Sequence, residues 1–307
     1  MLREELLQKT VSALQEAGFE TAQQISPSCF DILARRADKI LLVKVLTNVD
    51  SFYEEQAADL KRVGDVLGAT ALLVGVFVKS EYMRPKTIYE RYGIMAINFE
   101  TFEESILEKK LPVVYAKKGG FYANINPEFL KQIRERNKLS VGALAREAGI
   151  SKKSLQNYER GQGAEIGNIL RLQQALGDLE LNTINIFQHT IASAIQEQKQ
   201  TGIENAVSKR LGRIGFKTAT VQRASFRIIG KHREDILLTG LRKQPLEKKA
   251  HDIHDTAEAL GQHGMFVFEH ARKKVVAGVP ILEKEELEHV VSSRELLKLL
   301  KELTEEH

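Results

Sequence analysis

Cysteine is almost absent from this chain. Cys29 is the single one among 307 residues, so an internal disulfide is excluded and a cysteine-based zinc site has no donors. It stands beside Phe30 at the start of an apolar strand, where a buried, inert thiol is expected. No apolar run approaches the roughly 20 residues that span a bilayer. No glycine-rich phosphate loop appears, and no Ser-His-Asp set can be assembled from the pattern. The opening stretch, MLREELLQKTVSALQEAGF, is an amphipathic helix carrying acids, unlike a signal peptide. These absences argue against a secreted disulfide scaffold, a membrane partner, P-loop chemistry and triad hydrolysis. A cytoplasmic protein is expected. A hydrophobic share of 43% with 28% charged residues is that of a soluble globular chain, and the length allows two or three domains.

What is present concentrates in one segment, LSVGALAREAGISKKSLQNYERG, Leu139 to Gly161. Ser140 stands where an N-cap belongs, ahead of a short helix with Leu144, Ala145 and Ala148 inward. Gly149 supplies a turn residue for which positive φ is cheap. Ser151 caps a second short helix whose buried face is Leu155 and Tyr158. Lys152, Lys153, Gln156, Asn157 and Arg160 are left outward. Ammoniums and amides on an exposed helix are the groups that meet phosphates and base edges in a major groove. Charge agrees: residues 126–177 hold nine Lys or Arg against five Glu, an excess equal to the +4 of the whole chain. The excess is modest, so a homodimer on double-stranded DNA is expected.

Here the sequence resembles the lambda-repressor-like (Cro/XRE-type) helix-turn-helix family, from about Asn126 to Gly177. That family pairs an arginine of its first helix with a glutamate ending the recognition helix, and Arg134 and Glu159 stand at those places. The resemblance implies DNA contact by Ser151, Lys152, Lys153, Gln156 and Asn157. One position departs: Val141 stands where the family often has Gln.

The flanks of this module look like each other. Gly18-Phe19 answers Gly215-Phe216, Ile40-Leu41-Leu42 answers Ile236-Leu237-Leu238, and Leu67-Gly68 answers Leu260-Gly261. Each flank reads helix, hairpin, long helix, strand, strand, helix, so a duplicated α/β domain is expected. The expected fold class is therefore α/β plus all-α. Two α/β domains, 1–122 and 203–307, flank a helical module over 126–185, with a helical connector over 186–202. A hairpin is expected over Val113 to Tyr122.

The order helix, hairpin, strand, helix, strand resembles the restriction-endonuclease core, the PD-(D/E)xK fold. In such enzymes an Asp heads the hairpin and an acid-x-Lys triplet ends the next strand, holding Mg²⁺ and supporting the attacking water. Asp31 matches the first position, but Lys44 and Leu46 stand at the other two. The second copy offers Arg227, Gly240 and Arg242. Neither copy keeps the set, which implies a scaffold without catalysis, metal or cofactor, in which Asp31, Asp38 and Lys44 are edge and loop residues. Two alternatives stay open. One is a metal-dependent nuclease or resolvase-like enzyme with migrated acids (Asp38, Asp50 or Glu54). The other has Lys44, Arg35 and Arg36 holding the DNA backbone without cutting it. His251 and His254, with Asp252 and Asp255 interleaved, read as a solvated helix face rather than a zinc site. The combination, carried by CFDILARRADKILLVKVL, EEQAADLK, RYGIMAINFETFE and VVYAKKGGFYANI beside the motif above, resembles an archaeal family of HTH-type transcriptional regulators. It implies sequence-specific DNA binding with no cofactor.

Overall fold

A computed structural model describes residues 2–187, 202–241 and 247–305. An N-terminal α/β unit opens with α1 (Arg3–Glu16), β1 (Glu20–Gln23), β2 (Ile32–Arg36) and β3 (Lys39–Asn48). It continues through α2 (Glu54–Leu67), β4 (Thr70–Val78), β5 (Glu81–Tyr82), β6 (Thr87–Arg91), β7 (Ile94–Asn98) and α3 (Phe99–Leu107). A hairpin of β8 (Val114–Lys117) and β9 (Gly120–Ala123) follows. The helical module comprises α4 (Pro127–Arg136), α5 (Val141–Glu147), α6 (Lys152–Tyr158), the two-residue strand β10 (Ala164–Glu165) and α7 (Ile166–Leu176). The C-terminal unit begins with α8 (Ile203–Arg213), β11 (Lys217–Thr220), β12 (Ile228–His232), β13 (Asp235–Leu241) and α9 (Glu247–Leu260). It ends with β14 (His263–Phe268), β15 (Val275–Val276), β16 (Val279–Glu283), α10 (Lys284–His289) and α11 (Ser293–Glu305). Of the expected connector over 186–202, only Ile186, Phe187 and Gly202 fall among the described residues. None of the described helices is long and apolar enough to cross a membrane.

The two α/β units share one strand plan. In the first, β1–β2 and β2–β3 pair antiparallel, then β3–β4 and β4–β7 pair parallel. In the second, β11–β12 and β12–β13 pair antiparallel, then β13–β14 and β14–β16 pair parallel. The crossovers are α2 and α9, each stopped by a glycine in the left-handed region, Gly68 at φ 67° and Gly261 at φ 62°. Strand β3 is apolar on both faces because both faces are covered. Leu41, Val43 and Val45 pack toward α1 and α3, while Leu42 belongs to a second core on the opposite face.

That second core joins the two units. Phe30, Leu33, Leu60 and Val63 of the first bury together with Phe226, Ile229, Ile253 and Leu260 of the second. Helix α2 lies on β11 and β12, and α9 lies on β1 and β2, so each unit lends its crossover helix to the other's hairpin. Asp59 of α2 and Asp252 of α9 are both wholly buried. Asp252 accepts from the Ile25 and Ser26 amides at 2.5 and 3.0 Å and from the Ser225 hydroxyl at 2.7 Å. Asp59 accepts from the Gln222 and Arg223 amides at 3.2 and 2.9 Å and from Arg62 at 2.8 Å. The two carboxylates make the same contact in opposite directions. Asp252 is thus no part of the solvated face expected of α9.

The first sheet does not stop at the N-terminal unit. Its order, β1-β2-β3-β4-β7-β6-β8-β9-β10, carries it through the hairpin and into the helical module. Strand β9 pairs with β10 through Ala123–Ala164 and Tyr122–Glu165.

Candidate nucleic-acid interface

Local chemistry places the helices of the module. The Asn126 side chain accepts from the Phe129 amide at 3.2 Å, and Pro127 takes the first turn of α4, where its missing N–H costs nothing. Ser140 accepts from the Ala143 amide at 3.1 Å, and Ser151 from the Ser154 amide at 2.9 Å. Gly149 turns the chain between α5 and α6 at φ 64°. Leu130, Leu144, Leu155 and Leu172 are fully buried and form the centre of the module's own core.

Arg134 of α4 fixes the end of α6. Its Nε donates to Glu159 Oε1 at 2.5 Å, its Nη2 to Oε2 at 3.4 Å, and its Nη1 to the Leu139 carbonyl at 3.0 Å. The guanidinium is buried, so the fork is held from both sides. The Tyr158 hydroxyl accepts from Asn168 Nδ2 at 2.9 Å, tying α6 to α7. On the outer side of α6, Ser151, Lys152, Lys153, Gln156 and Arg160 are exposed and Asn157 is half-buried. Among the described residues the ion pairs of this module are those of Arg134, so Lys152, Lys153 and Arg160 face solvent unpaired. The face can donate to phosphate oxygens and present amides to base edges.

The α/β units carry no comparable open chemistry. Asp31 is buried, and both oxygens of its carboxylate already have donors. Oδ1 accepts from Arg3 at 2.7 Å and from Lys44 Nζ at 3.0 Å, and Oδ2 accepts from the Val45 amide at 2.7 Å. Lys44 also donates to the Ser28 carbonyl at 2.7 Å. The Lys44 ammonium therefore stands where a second metal-holding carboxylate would be needed, and two cations already neutralise the one acid. These residues do not fit Mg²⁺. Asp31 lies in the bend before β2, as a loop residue, but it is buried, and Lys44 is an interior residue of β3 rather than an edge or loop residue. The acids considered as migrated ligands are placed otherwise. Asp38 is exposed in the β2–β3 turn, Glu54 is exposed in the first turn of α2, and Asp50 accepts from the Lys79 amide and pairs with Arg91. In the second unit Arg227 donates to the Gln222 carbonyl at 2.7 Å. A Cβ at Gly240 would lie 2.2 Å from the Phe266 ring, so no ligand-bearing side chain fits there.

Backbone contact by Lys44 is corrected by its burial, while Arg35 and Arg36 are engaged within the protein. Lys44 is internal, Arg35 donates to the Leu260 carbonyl of the other unit, and Arg36 lies over the Phe19 ring and donates to the Ala17 carbonyl. On α9 the neighbours of His254 are Asp255 and Glu258, with ligand atoms within 4.8 Å of one another. Burial pushes the Cys29 thiol up to about 12, which leaves it inert. Asp59 and Asp252 were missed by sequence reasoning. The available signal is an acid eight residues before Leu67 and again before Leu260, each followed by an apolar residue.

Comparison with known proteins agrees with this division. A PD-(D/E)XK superfamily domain matches residues 3–112, and a helix-turn-helix matches residues 130–183. A protein of Thermococcus kodakarensis is 34% identical over 100% of this chain and 98% of its own length. One of Archaeoglobus fulgidus is 33% identical over 97% of each, and one of Pyrococcus abyssi is 36% identical over 99% of each. All three are described as "putative HTH-type transcriptional regulatory protein". The chain belongs to this archaeal family. This chain thus joins a PD-(D/E)XK superfamily domain to a helix-turn-helix in one polypeptide. No solved structure matches.

Proposed function

We propose that the protein is a non-enzymatic, sequence-specific transcriptional regulator of the cytoplasm that places α6 in the major groove of double-stranded DNA. The observation that carries this is the unpaired outer face of α6, clamped at its end by Arg134 and Glu159. Ser151, Lys152, Lys153 and Arg160 meet phosphates, while Gln156 and Asn157 read bases. Lys152→Ala should weaken binding to all sequences alike and lower the log–log salt slope by about 0.9 for each lost phosphate contact. Gln156→Ala should cost about 1–3 kcal/mol at particular base pairs and relax preference there. Selection of bound duplexes from a random pool checks both. An unchanged selected motif for Gln156→Ala removes the recognition-helix assignment. The working unit is a homodimer, because one module has limited contact area. The selected motif should then contain two half-sites related by two-fold symmetry, and a single half-site argues for a monomer.

The C-terminal unit is read as a second, degenerate nuclease-like domain that arose with the first by duplication, flanking the module over 126–185. The shared strand plan supports this. Neither unit is expected to cut duplex, single-stranded or four-way-junction DNA with Mg²⁺ or Mn²⁺. Asp31 is saturated by donors, and metal-dependent hydrolysis needs clustered open carboxylates. Cleavage that vanishes in Asp31→Ala would establish the nuclease reading instead.

A further inference from the structure

Between the two matched segments lies the β8–β9 hairpin, which neither covers. It is the piece that carries the sheet into the helical module. Tyr122 and Ala123 pair with Glu165 and Ala164, and Glu165 directly precedes α7. Helix α7 is bonded to α6 through Asn168 and Tyr158. The hairpin is therefore attached to the recognition helix by backbone pairing and one side-chain bond.

Its chemistry is one-sided. From Lys109 to Pro127 the sequence carries no acid, and Lys117 and Lys118 form the exposed tip. Arg84 and Lys86, also exposed, stand beside it: Arg84 lies over the Phe121 ring at 4.3 Å, and the Val114 amide donates to the Lys86 carbonyl at 3.3 Å. None of these four cations is paired with a carboxylate among the described residues. Glu165 Oε1 lies 3.9 Å from where a Gly120 Cβ would stand. Lys117 lies over the Tyr115 ring at 4.7 Å. Tyr115 and Tyr122 stack across the hairpin with centroids 6.0 Å apart. Aromatic faces hold Arg84 and Lys117 in place, which lowers the entropy lost when they bind. Gly119 at φ 103° and Gly120 at φ 152° make the tight turn. Lys117 pairs with Gly120, two strand residues past the Tyr122–Glu165 pair, so at about 3.3 Å per residue the tip stands about 7–10 Å beyond that pair.

We propose that the β8–β9 hairpin is a second arm of the DNA interface, laying Lys117 and Lys118 on the phosphates beside the groove that α6 enters. This rests on α6 being the recognition helix. The lysines contact oxygens only, so they add affinity and salt dependence without changing base preference.

The test is the full chain carrying Lys117→Ala and Lys118→Ala, titrated over a salt series against a mixed-sequence duplex and a selected one. Lys109→Ala, an exposed lysine outside the hairpin, controls for general charge loss, and thermal melting verifies that each variant folds. The double variant should lower the log–log slope by about 0.9 per contact, shorten the hydroxyl-radical footprint on one flank and keep the selected motif. An unchanged slope and footprint, with Lys152→Ala lowering the slope, overturns the arm and leaves the α6 reading intact. A slope lowered equally by Lys109→Ala also overturns it. A wild-type chain that binds no duplex removes both. A lowered slope for the hairpin variant, with Gln156→Ala still selecting the original motif, puts the hairpin on phosphates but removes α6 as the recognition helix, and with it an arm beside the α6 groove.

Discussion

Asp252→Ala should lower the unfolding free energy of the chain by about 3–5 kcal/mol. The carboxylate is wholly buried and accepts three hydrogen bonds, two of them from consecutive backbone amides of the other α/β unit. Its removal takes the acceptor from the Ile25 and Ser26 amides and leaves the Ser225 hydroxyl with Gln24 Oε1 alone. A buried unsatisfied donor costs about 1–3 kcal/mol, and bonds to an ionised acceptor lie at the upper end. Alanine also leaves a small void between α9 and the β1–β2 hairpin. Glu258→Ala, on an exposed step of the same helix, is the control. Denaturant midpoints followed by far-UV circular dichroism separate the two. Equal midpoints would mean that the contact between the units contributes nothing.

Glu159→Ala should loosen the helical module by a similar amount. Arg134 would keep its Leu139 carbonyl and the more distant, exposed Glu135 carboxylate at 3.6 Å, but lose both Glu159 oxygens while remaining buried. A buried charge without its partner costs about 3–5 kcal/mol. Amide hydrogen exchange reads the opening of α4 to α6 directly. Exchange should quicken there while the C-terminal unit stays unchanged. Glu147→Ala, an exposed acid at the end of α5, should leave exchange as it was. The same rates in both variants would show that the fork does not hold α6 in place. Because the clamp positions the α6 face proposed to read bases, Glu159→Ala should also weaken DNA binding without touching DNA.

The helical module was legible because its signals are local. Ser140, Gly149 and Ser151 act on residues two or three steps away, and the apolar spacing of Leu144, Leu155 and Tyr158 declares the buried side. The order of elements along the α/β units was legible for a similar reason, since turns and a long crossover helix punctuate the chain. What stayed hidden is non-local. Asp252 reads as one acid among several on a polar helix, and its partners at Ile25 and Ser26 lie 227 and 226 residues away. Asp31 and Lys44 matched the places of a lost metal site, but nothing near them announces that they close on each other in the interior. Strand β10 is two residues long and has no period of its own, so its pairing with β9 left no trace in the pattern.

The exchange of α2 and α9 between the units also sets an order of events during synthesis. The β1–β2 hairpin leaves the ribosome long before α9 exists to cover it, since Ile25 and Asp252 are 227 residues apart. At the ordinary rate of about 5–20 residues per second, the interval is on the order of 10–45 s. Throughout it Cys29, Phe30 and Leu33, fully buried in the finished chain, lack their covering helix. Local helices form in microseconds, so the helical module can be complete while the first α/β unit still waits. The nascent chain therefore completes its helix-turn-helix before its final core.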